Sequence, residues 1–165
     1  MRLRWTTAVL TIFCAGPAAA DGAAGPPGLC AVDETVYFSC ATGRTRWISL
    51  CGAAPGALQY RFGRSKAVEL QYPERAAEGA SRMLFAQYGR HQVERLEVRF
   101  ENHGADYVLF DYQEGAQRNA GVRVTTSDGK ERELACTGPV ASRLGELKGV
   151  LRCDADSALN GGTCP

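Results

Sequence analysis

The chain has 165 residues and only two histidines, the side chains that most often act as general bases near neutral pH. His103 lies in the segment 102–104, whose Asn, His and Gly residues favour a turn, and His91 lies in an irregular stretch. We expect both imidazoles to be exposed and solvated. Because no Gly-x-Ser-x-Gly elbow is present to activate a serine, the sequence predicts no catalytic residue.

The sequence contains no metal-ligand spacing of the Cys-x-x-Cys, His-x-x-x-His or His-Glu-x-x-His kind. The tail 154–160 has the start of a calcium loop. However, Leu159 stands at the sixth position, where such a loop needs glycine, and Pro165 stands where it needs a bidentate glutamate. We therefore expect no metal site and no cofactor.

The cysteines are the most reactive residue type in the chain. Cys14 lies in the N-terminal apolar segment, and the other six form two clusters, which are Cys30, Cys40 and Cys51, and Cys136, Cys153 and Cys164. An even number in an exported chain indicates three structural disulfides. Six cysteines allow fifteen pairings, and the sequence does not select one. The arrangement that we favour joins Cys40 to Cys51, Cys136 to Cys153, and Cys30 to Cys164.

The first twenty residues have the three parts of a secretory signal peptide. Arg2 and Arg4 form the positive region, residues 8–15 form an apolar core too short to span a membrane, and residues 18–20 are small. We predict cleavage before Asp21 and export to the periplasm or the extracellular space. The remaining chain divides into a Gly/Pro-rich flexible leader, 21–29, and a single disulfide-bridged β domain, 30–165.

Removal of the signal changes the formal net charge from +1 to −1, because Arg2 and Arg4 are lost. Charges of both signs alternate along the rest of the chain, as in 95–101. A nearly neutral surface of mixed charge does not attract polyanions over long distances. The sequence therefore predicts no nucleic-acid partner and no anionic lipid partner.

Apolar residues recur at every second position in several runs, which is typical of half-buried strands. In the clearest run, 95–101, Leu96, Val98 and Phe100 alternate with charged residues, and a turn leads to a partner strand at 105–112. Further strands are predicted at 35–40, 47–51, 58–62, 68–72, 121–126 and 131–136. The segment 74–91 is predicted to be a loop with one short helix.

The C-terminal part has a different period. Val140, Leu144, Leu147 and Leu151 recur at helical spacing, which predicts a helix of about three turns with Thr137 as its N-cap. About eight strands in consecutive hairpins predict a mostly β fold. This fold is a small antiparallel meander that closes into a barrel or forms a two-layer sheet, with one short C-terminal helix and disulfides.

A tyrosine beside arginines is the best candidate contact site, since these two residue types are favoured anchors of protein interfaces. On the strand 105–112, Tyr107 and Tyr112 point to opposite faces, and we expect one of these faces to be exposed. The candidate binding face comprises Tyr107, Arg99, Arg61 and Arg123. The competing interpretation is that these side chains pair with cross-strand neighbours inside one sheet.

Several segments together resemble an uncharacterised family of exported proteins of Gram-negative bacteria. They are ETVYFSC at 34–40, SLC at 49–51, LQYRFG at 58–63, and the strands at 96–101, 105–112 and 121–124. This resemblance covers most of the mature chain and implies export, but no activity.

Tyr37 and Cys40, together with the loop 103–107, also resemble the Tyr-x-Cys start and the Ser-Gly-x-x-Tyr loop of periplasmic lysozyme inhibitors. The chain has one more residue between Tyr and Cys, and His103 replaces the serine. No inhibitory residue is therefore transferred.

Together these observations predict an exported, non-enzymatic binding domain of the bacterial envelope whose partner is another protein. One form of this prediction is an inhibitor of a host or cell-wall hydrolase. Two alternatives stay open: an envelope hydrolase or redox enzyme with an unrecognised site, and a structural component of the envelope.

Overall fold

The computed structural model describes Met1 and residues 28–164. The predicted signal peptide beyond Met1, its cleavage site before Asp21 and leader residues 21–27 lie outside this range. Within it, no helix is long and apolar enough to cross a membrane. Eleven strands form two sheets in the described part of the chain.

Sheet A has five antiparallel strands. They are β1 (Thr35–Thr42), β2 (Arg46–Ala54), β3 (Ala57–Arg64), β4 (Ala67–Tyr72) and β10 (Val140–Ser142). The spatial order is β10-β1-β2-β3-β4, so the late strand β10 covers the edge that β1 would otherwise expose.

Sheet B has six strands. They are β5 (Leu84–Arg90), β6 (Val93–Asn102), β7 (Ala105–Glu114), β8 (Gln117–Thr125), β9 (Glu131–Ala135) and β11 (Arg152–Cys153). The spatial order is β11-β5-β6-β7-β8-β9. Only the short pairing of β11 with β5 is parallel, and the other four pairings are antiparallel.

The two sheets pack face to face around one core. Phe38, Ile48 and Leu50 of sheet A and Leu109 and Val122 of sheet B are fully buried members of a single apolar cluster. Because successive side chains of a strand point to opposite sides, each sheet has an inner face toward this core and an outer face. The predicted mostly β fold is confirmed, and of the two predicted arrangements the two-layer sheet is the one present, since the described strands do not close into a barrel.

The hairpin between β6 and β7 shows how local sequence sets the strand register. His103 and Gly104 form its two-residue turn and have positive φ angles of 51° and 74°. Two consecutive positive φ angles match the twist of antiparallel strands, and Asn, His and Gly tolerate them better than other residues. The turn places Phe100 opposite Tyr107, with both side chains on the inner face.

The segment 74–91, which was predicted to be a loop with one short helix, contains strand β5 in addition to helical turns. A 3₁₀ turn (Ala76–Glu78) and the four-residue helix α1 (Gly79–Arg82) occupy the first half, and β5 occupies the second. Phe85 lies opposite Val98 of β6 and is 6% exposed. Pairing with the strongly patterned β6 therefore overrides the weak local preference of this segment.

The C-terminal segment corrects the prediction of a three-turn helix over 140–151. Val140 lies opposite Cys40 in β1, so it belongs to β10, and only Leu144–Leu147 forms a single 3₁₀ turn. The leucines of the predicted helical face are nevertheless buried in the core. Thr137, the predicted N-cap, instead donates its hydroxyl to the carbonyls of Ala41 and Gly43.

All three favoured disulfide pairings are wrong. The bridges join Cys30 to Cys51, Cys40 to Cys136 and Cys153 to Cys164. Cys40 points into the core, whereas Cys51 lies on the outer side of sheet A. Their side chains therefore point to opposite faces of the sheet and cannot form a disulfide. The Cys40–Cys136 bridge links β1 of sheet A to the residue that follows β9 of sheet B.

Candidate functional site

The structure does not gather the four residues of the predicted binding face in one place. Arg99 and Arg123 share the outer face of sheet B, where both lie opposite Val108 of β7. Tyr107 lies on the inner face and stacks on Phe100 at 4.9 Å between ring centroids. Arg61 belongs to sheet A, so only two of the four residues can contact the same partner surface.

Arg61 fixes the N-terminal segment to the outer side of sheet A. Its guanidinium donates to both carboxylate oxygens of Glu34, at 2.6 and 2.7 Å, and to the carbonyl of Leu29 at 2.9 Å. Leu29 is 9% exposed, and its N–H donates to Ser49 Oγ. Leu29, the last residue of the predicted leader, is therefore anchored to the sheet.

The outer face of sheet B carries a row of four polar side chains that crosses four strands. Strand register places Tyr88 opposite Arg95, Arg95 opposite Tyr112, and Tyr112 opposite Asn119. Neighbouring strands lie about 4.8 Å apart, so these side chains stand side by side. We call Tyr88, Arg95, Tyr112 and Asn119 the Tyr-Arg-Tyr row.

Arg95 is the centre of this row. Its guanidinium carbon lies 5.4 Å from the centre of the Tyr112 ring, which is a cation–π contact. Nε also donates to Glu114 Oε1 at 2.9 Å, and the Arg95 side chain is still 40% exposed. Two restraints on a long side chain reduce the rotamer freedom that it would lose when a partner binds.

A partly buried chain of hydrogen bonds restrains Tyr112 from the other side. Its hydroxyl donates to Glu97 Oε1, and Ser157 donates its hydroxyl to Glu97 Oε2 at 3.0 Å. Burial, reinforced by the hydrogen bond and negative charge of Glu97, raises the pKa of Tyr112 to about 12. The phenol is therefore a neutral, oriented group throughout the physiological range.

Phe110 also lies on the outer face of sheet B, beneath the side chain of Arg123. The Arg123 guanidinium covers its ring at 5.3 Å, and the residue is completely buried although it points away from the core. Gly121 lies opposite Phe110, and a Cβ at this glycine would stand 2.3 Å from the carbonyl oxygen of Leu134. The close approach of β9 at this position therefore requires glycine.

Two shallow depressions lie on either side of Arg95. One has a volume of about 590 Å³ and is lined by Tyr112, Glu114 and Asn119, among others. The second, of about 380 Å³, is lined by Tyr88, Arg90 and Leu159, among others. Partner side chains that enter these depressions would contact Arg95 and one tyrosine each.

The two histidines do not form a catalytic pair. His91 lies in the turn before β6 and His103 in the turn after it, so they stand at opposite ends of a ten-residue strand. Both residues are exposed. A strand of this length spans about 30 Å, which is too far for joint action on one substrate.

One group of possible metal ligands occurs among the described residues, and it consists of Cys30, Glu34 and Cys51. The two sulfur atoms are joined to each other in a disulfide, and both Glu34 oxygens accept hydrogen bonds from Arg61. Oxidised cysteines do not supply the thiolate that a metal needs. The donor set therefore does not fit a cation.

No protein-family model matches the chain, and neither a curated protein nor a solved structure is similar to it.

Most of the Tyr-Arg-Tyr row was not predictable from the sequence for a specific reason. Tyr88 lies in β5, which was predicted to be a loop, so its alignment with Arg95 and Tyr112 was hidden. The available signal was the alternation of Leu96 and Val98 with charged residues, which already placed Arg95 on the face opposite the core. Tyr112 could then be assigned to the same face from the turn at 102–104.

Proposed function

We propose that the chain is an exported, non-enzymatic binding domain whose partner is another protein, and that the partner contacts the outer face of sheet B. The observation that carries this proposal is the Tyr-Arg-Tyr row, in which an exposed arginine stands between two tyrosines. Tyrosine and arginine are the residue types most enriched among energetically important interface residues.

The geometry of the row supports protein binding because its side chains are ordered before a partner arrives. Arg95 is restrained by Glu114 and Tyr112, and Tyr112 is restrained by Glu97. Tyr88 is 41% exposed, so part of its ring surface is available to a partner. Preordered anchors bind at a smaller entropic cost than mobile ones.

Export is the second part of the proposal. Three disulfides in 137 consecutive described residues support an oxidising compartment, because such bonds persist in the periplasm and outside the cell. The predicted signal peptide supports the same conclusion. Expression with the native N-terminus, followed by mass measurement of the exported chain, is expected to give a protein that begins at Asp21. An unprocessed chain in the cytoplasm would contradict it.

A partner hydrolase is the form of this proposal that the resemblance to lysozyme inhibitors suggests. Binding to the outer face of sheet B would then block the enzyme. Purified lysozymes and cell-wall hydrolases provide the first partners to test, in both binding and activity assays.

Site-specific photo-crosslinking tests the proposed face. A benzophenone amino acid replaces Asn119, at the end of the row, and in a matched control it replaces Gln71, an exposed residue of β4 in sheet A. The oxidised chain is irradiated with each purified hydrolase and with envelope extract. We expect a discrete adduct from position 119 and none from position 71. Equal adducts from both positions, or none from position 119, would refute the proposal.

A further inference from the structure

Strand β5 has one edge that is only partly covered. On one side it pairs with β6 along its whole length, from Leu84 to Arg90. On the other side, β11 pairs only with Leu84 and Phe85. Beyond Phe85, none of the described strands lies against this edge.

The main-chain groups of alternate β5 residues point toward the uncovered edge. The carbonyl of Phe85 accepts from Asp154 N–H at 2.8 Å, and the N–H of Gln87 donates to the side-chain Oδ1 of Asn160 at 3.4 Å. Because main-chain direction repeats every two residues, the Gln87 carbonyl and both polar groups of Gly89 point the same way. The Gln87 carbonyl and the two polar groups of Gly89 therefore face an edge without a neighbouring strand, whereas the Gln87 N–H is already engaged by Asn160.

A cleft of about 730 Å³ lies along this edge. Lys148, Gly149 and Leu151 line it from the segment before β11, and Leu159, Asn160 and Thr163 line it from the C-terminal segment. Phe85, Gln87 and Gly89 of β5 and Cys153 of β11 complete the lining. The cleft thus has two walls with a strand edge between them, which is the shape that an added strand requires.

The chemistry of the lining indicates the occupant. An alternating series of main-chain donors and acceptors is complementary to another extended main chain, and the leucines and Phe85 offer apolar contacts to its side chains. Lys148 is the only charged residue among the residues that line the cleft. An acidic side chain or a terminal carboxylate on the occupant would pair with it.

We propose that an extended peptide segment of the partner protein adds to β5 as a strand in this cleft, with a carboxylate of that segment on Lys148. The inference rests on the proposed function in one respect, namely that the partner is a protein. The partner would then have two contact regions on this chain, which are the outer face of sheet B and the cleft at the edge of β5. The peptide side chain next to Tyr88 would extend the Tyr-Arg-Tyr row by one position.

Gly89 offers a matched pair of variants. A Cβ at this position would have no atom within 4 Å, so Gly89→Ala keeps the fold and the edge N–H. Gly89→Pro removes that N–H and places a ring at the edge, while proline is tolerated on a strand edge whose N–H faces outward. Thermal unfolding of both variants shows whether the fold is intact before binding is compared.

The probe is a library of random linear peptides displayed on phage, selected on the oxidised wild-type chain. We expect selected peptides to carry an acidic residue, to bind Gly89→Ala as tightly as wild type, and to bind Gly89→Pro roughly tenfold more weakly or worse. Lys148→Glu is expected to abolish the preference for the acidic residue. Failure to select any peptide, or equal binding to the proline variant, would overturn the inference.

The same peptides separate this inference from the proposed function. Peptides that are lost with Arg95→Ala but insensitive to Gly89→Pro would support the outer face and refute the cleft. Peptides with the reverse sensitivity would support the cleft alone. If the chain itself forms dimers that Gly89→Pro abolishes, the occupant is a second copy, and the proposal of a partner peptide is wrong.

Discussion

The outer faces of the two sheets each carry an arginine–glutamate ion pair, and the two pairs have different roles. On sheet A, Arg61 is 14% exposed and binds Glu34, so the ion pair joins a separate chain segment to the sheet. On sheet B, Arg95 is 40% exposed and binds Glu114 of the neighbouring strand. The Arg61–Glu34 pair attaches the N-terminal segment over the outer face of sheet A. The Arg95–Glu114 pair restrains an arginine on the outer face of sheet B, which stays exposed.

This difference shows how to separate structural from functional arginines in a β sandwich. An arginine that links two segments far apart in the sequence, and is nearly buried, contributes to the fold. An arginine that is restrained within its own sheet and still presents its surface to solvent can contact a partner without a large loss of rotamer freedom, and we propose this role for Arg95. Substitutions at the disulfides and on each of the two outer faces test this difference.

The largest effect is expected when the disulfide that links the two sheets is removed. The Cys40–Cys136 bridge closes a separation of 96 residues, and the Cys153–Cys164 bridge closes one of 11 residues. In the chain-entropy model, loss of the long loop lowers the free energy of unfolding by roughly 4–5 kcal/mol, and loss of the short loop by roughly 3 kcal/mol. Urea unfolding of Cys40→Ala/Cys136→Ala and Cys153→Ala/Cys164→Ala measures both. A larger loss from the short loop would contradict this ranking.

Removal of one partner of the sheet A ion pair should be the next largest effect. Arg61→Gln leaves the Glu34 carboxylate, which is 10% exposed, without its cation. We expect a loss of about 2–4 kcal/mol in the free energy of unfolding, because a nearly buried charge is left unpaired. Arg95→Gln is the matched control and should unfold like the wild type, since exposed ion pairs contribute little. Similar losses in the two variants would remove the distinction between the two faces.

The pH dependence of stability should also come from sheet A. Hydrogen bonds from Arg61 hold the pKa of Glu34 below its usual value, against the opposing effect of burial. The ionised Glu34 carboxylate therefore contributes fully to the free energy of unfolding above the ordinary glutamate pKa of about 4.3. This contribution is lost as the pH falls through the lower pKa that Glu34 has in the folded state. Urea midpoints between neutral and acidic pH should fall more steeply for wild type than for Glu34→Gln. Parallel curves would show that Glu34 is not the group involved.

The smallest expected effect is local to the Tyr-Arg-Tyr row. Tyr112 has a pKa of about 12, so the neutral phenol stabilises the fold below the unfolded value of about 10, and this contribution is lost as the pH rises through 12. In an absorbance titration of tyrosinate, Tyr112→Phe should remove one ionisation near pH 12. Glu97→Gln should shift that ionisation to lower pH, because the charge and hydrogen bond of Glu97 both favour the neutral phenol. An unchanged titration in both variants would contradict the contact.

Alternation of apolar and polar residues was sufficient to predict β6, β7 and a mostly β fold, but it left a closed barrel and a two-layer sheet as alternatives. The hairpin turn at His103 and Gly104 was equally clear, since its residue types suit positive φ angles. Strand β5 was not predictable in this way, because its pairing with β6 is a contact between segments rather than a local pattern. Without β5, the row across the outer face of sheet B was only partly visible.

The predictions of the disulfide pairing and of the C-terminal helix were wrong for a related reason. Cys40 and Cys51 are close in sequence, but the β1–β2 register points them to opposite sides of sheet A. The leucines near the C-terminus have helical spacing and are buried as expected, yet the backbone of Val140 pairs with β1 instead. Burial could be predicted from residue type, whereas the pairing that produces it depends on the position of distant strands.

One affinity comparison decides whether the outer face of sheet B binds a partner. Arg95 and Arg46 are both exposed, at 40% and 44%, and each lies over an aromatic ring and beside a glutamate, but Arg46 belongs to sheet A. The affinities of Arg95→Ala and Arg46→Ala for the protein crosslinked at position 119 are measured by calorimetry. We predict that Arg95→Ala binds roughly tenfold or more weakly and that Arg46→Ala binds like wild type. Equal losses, or a loss confined to Arg46→Ala, would contradict the claim.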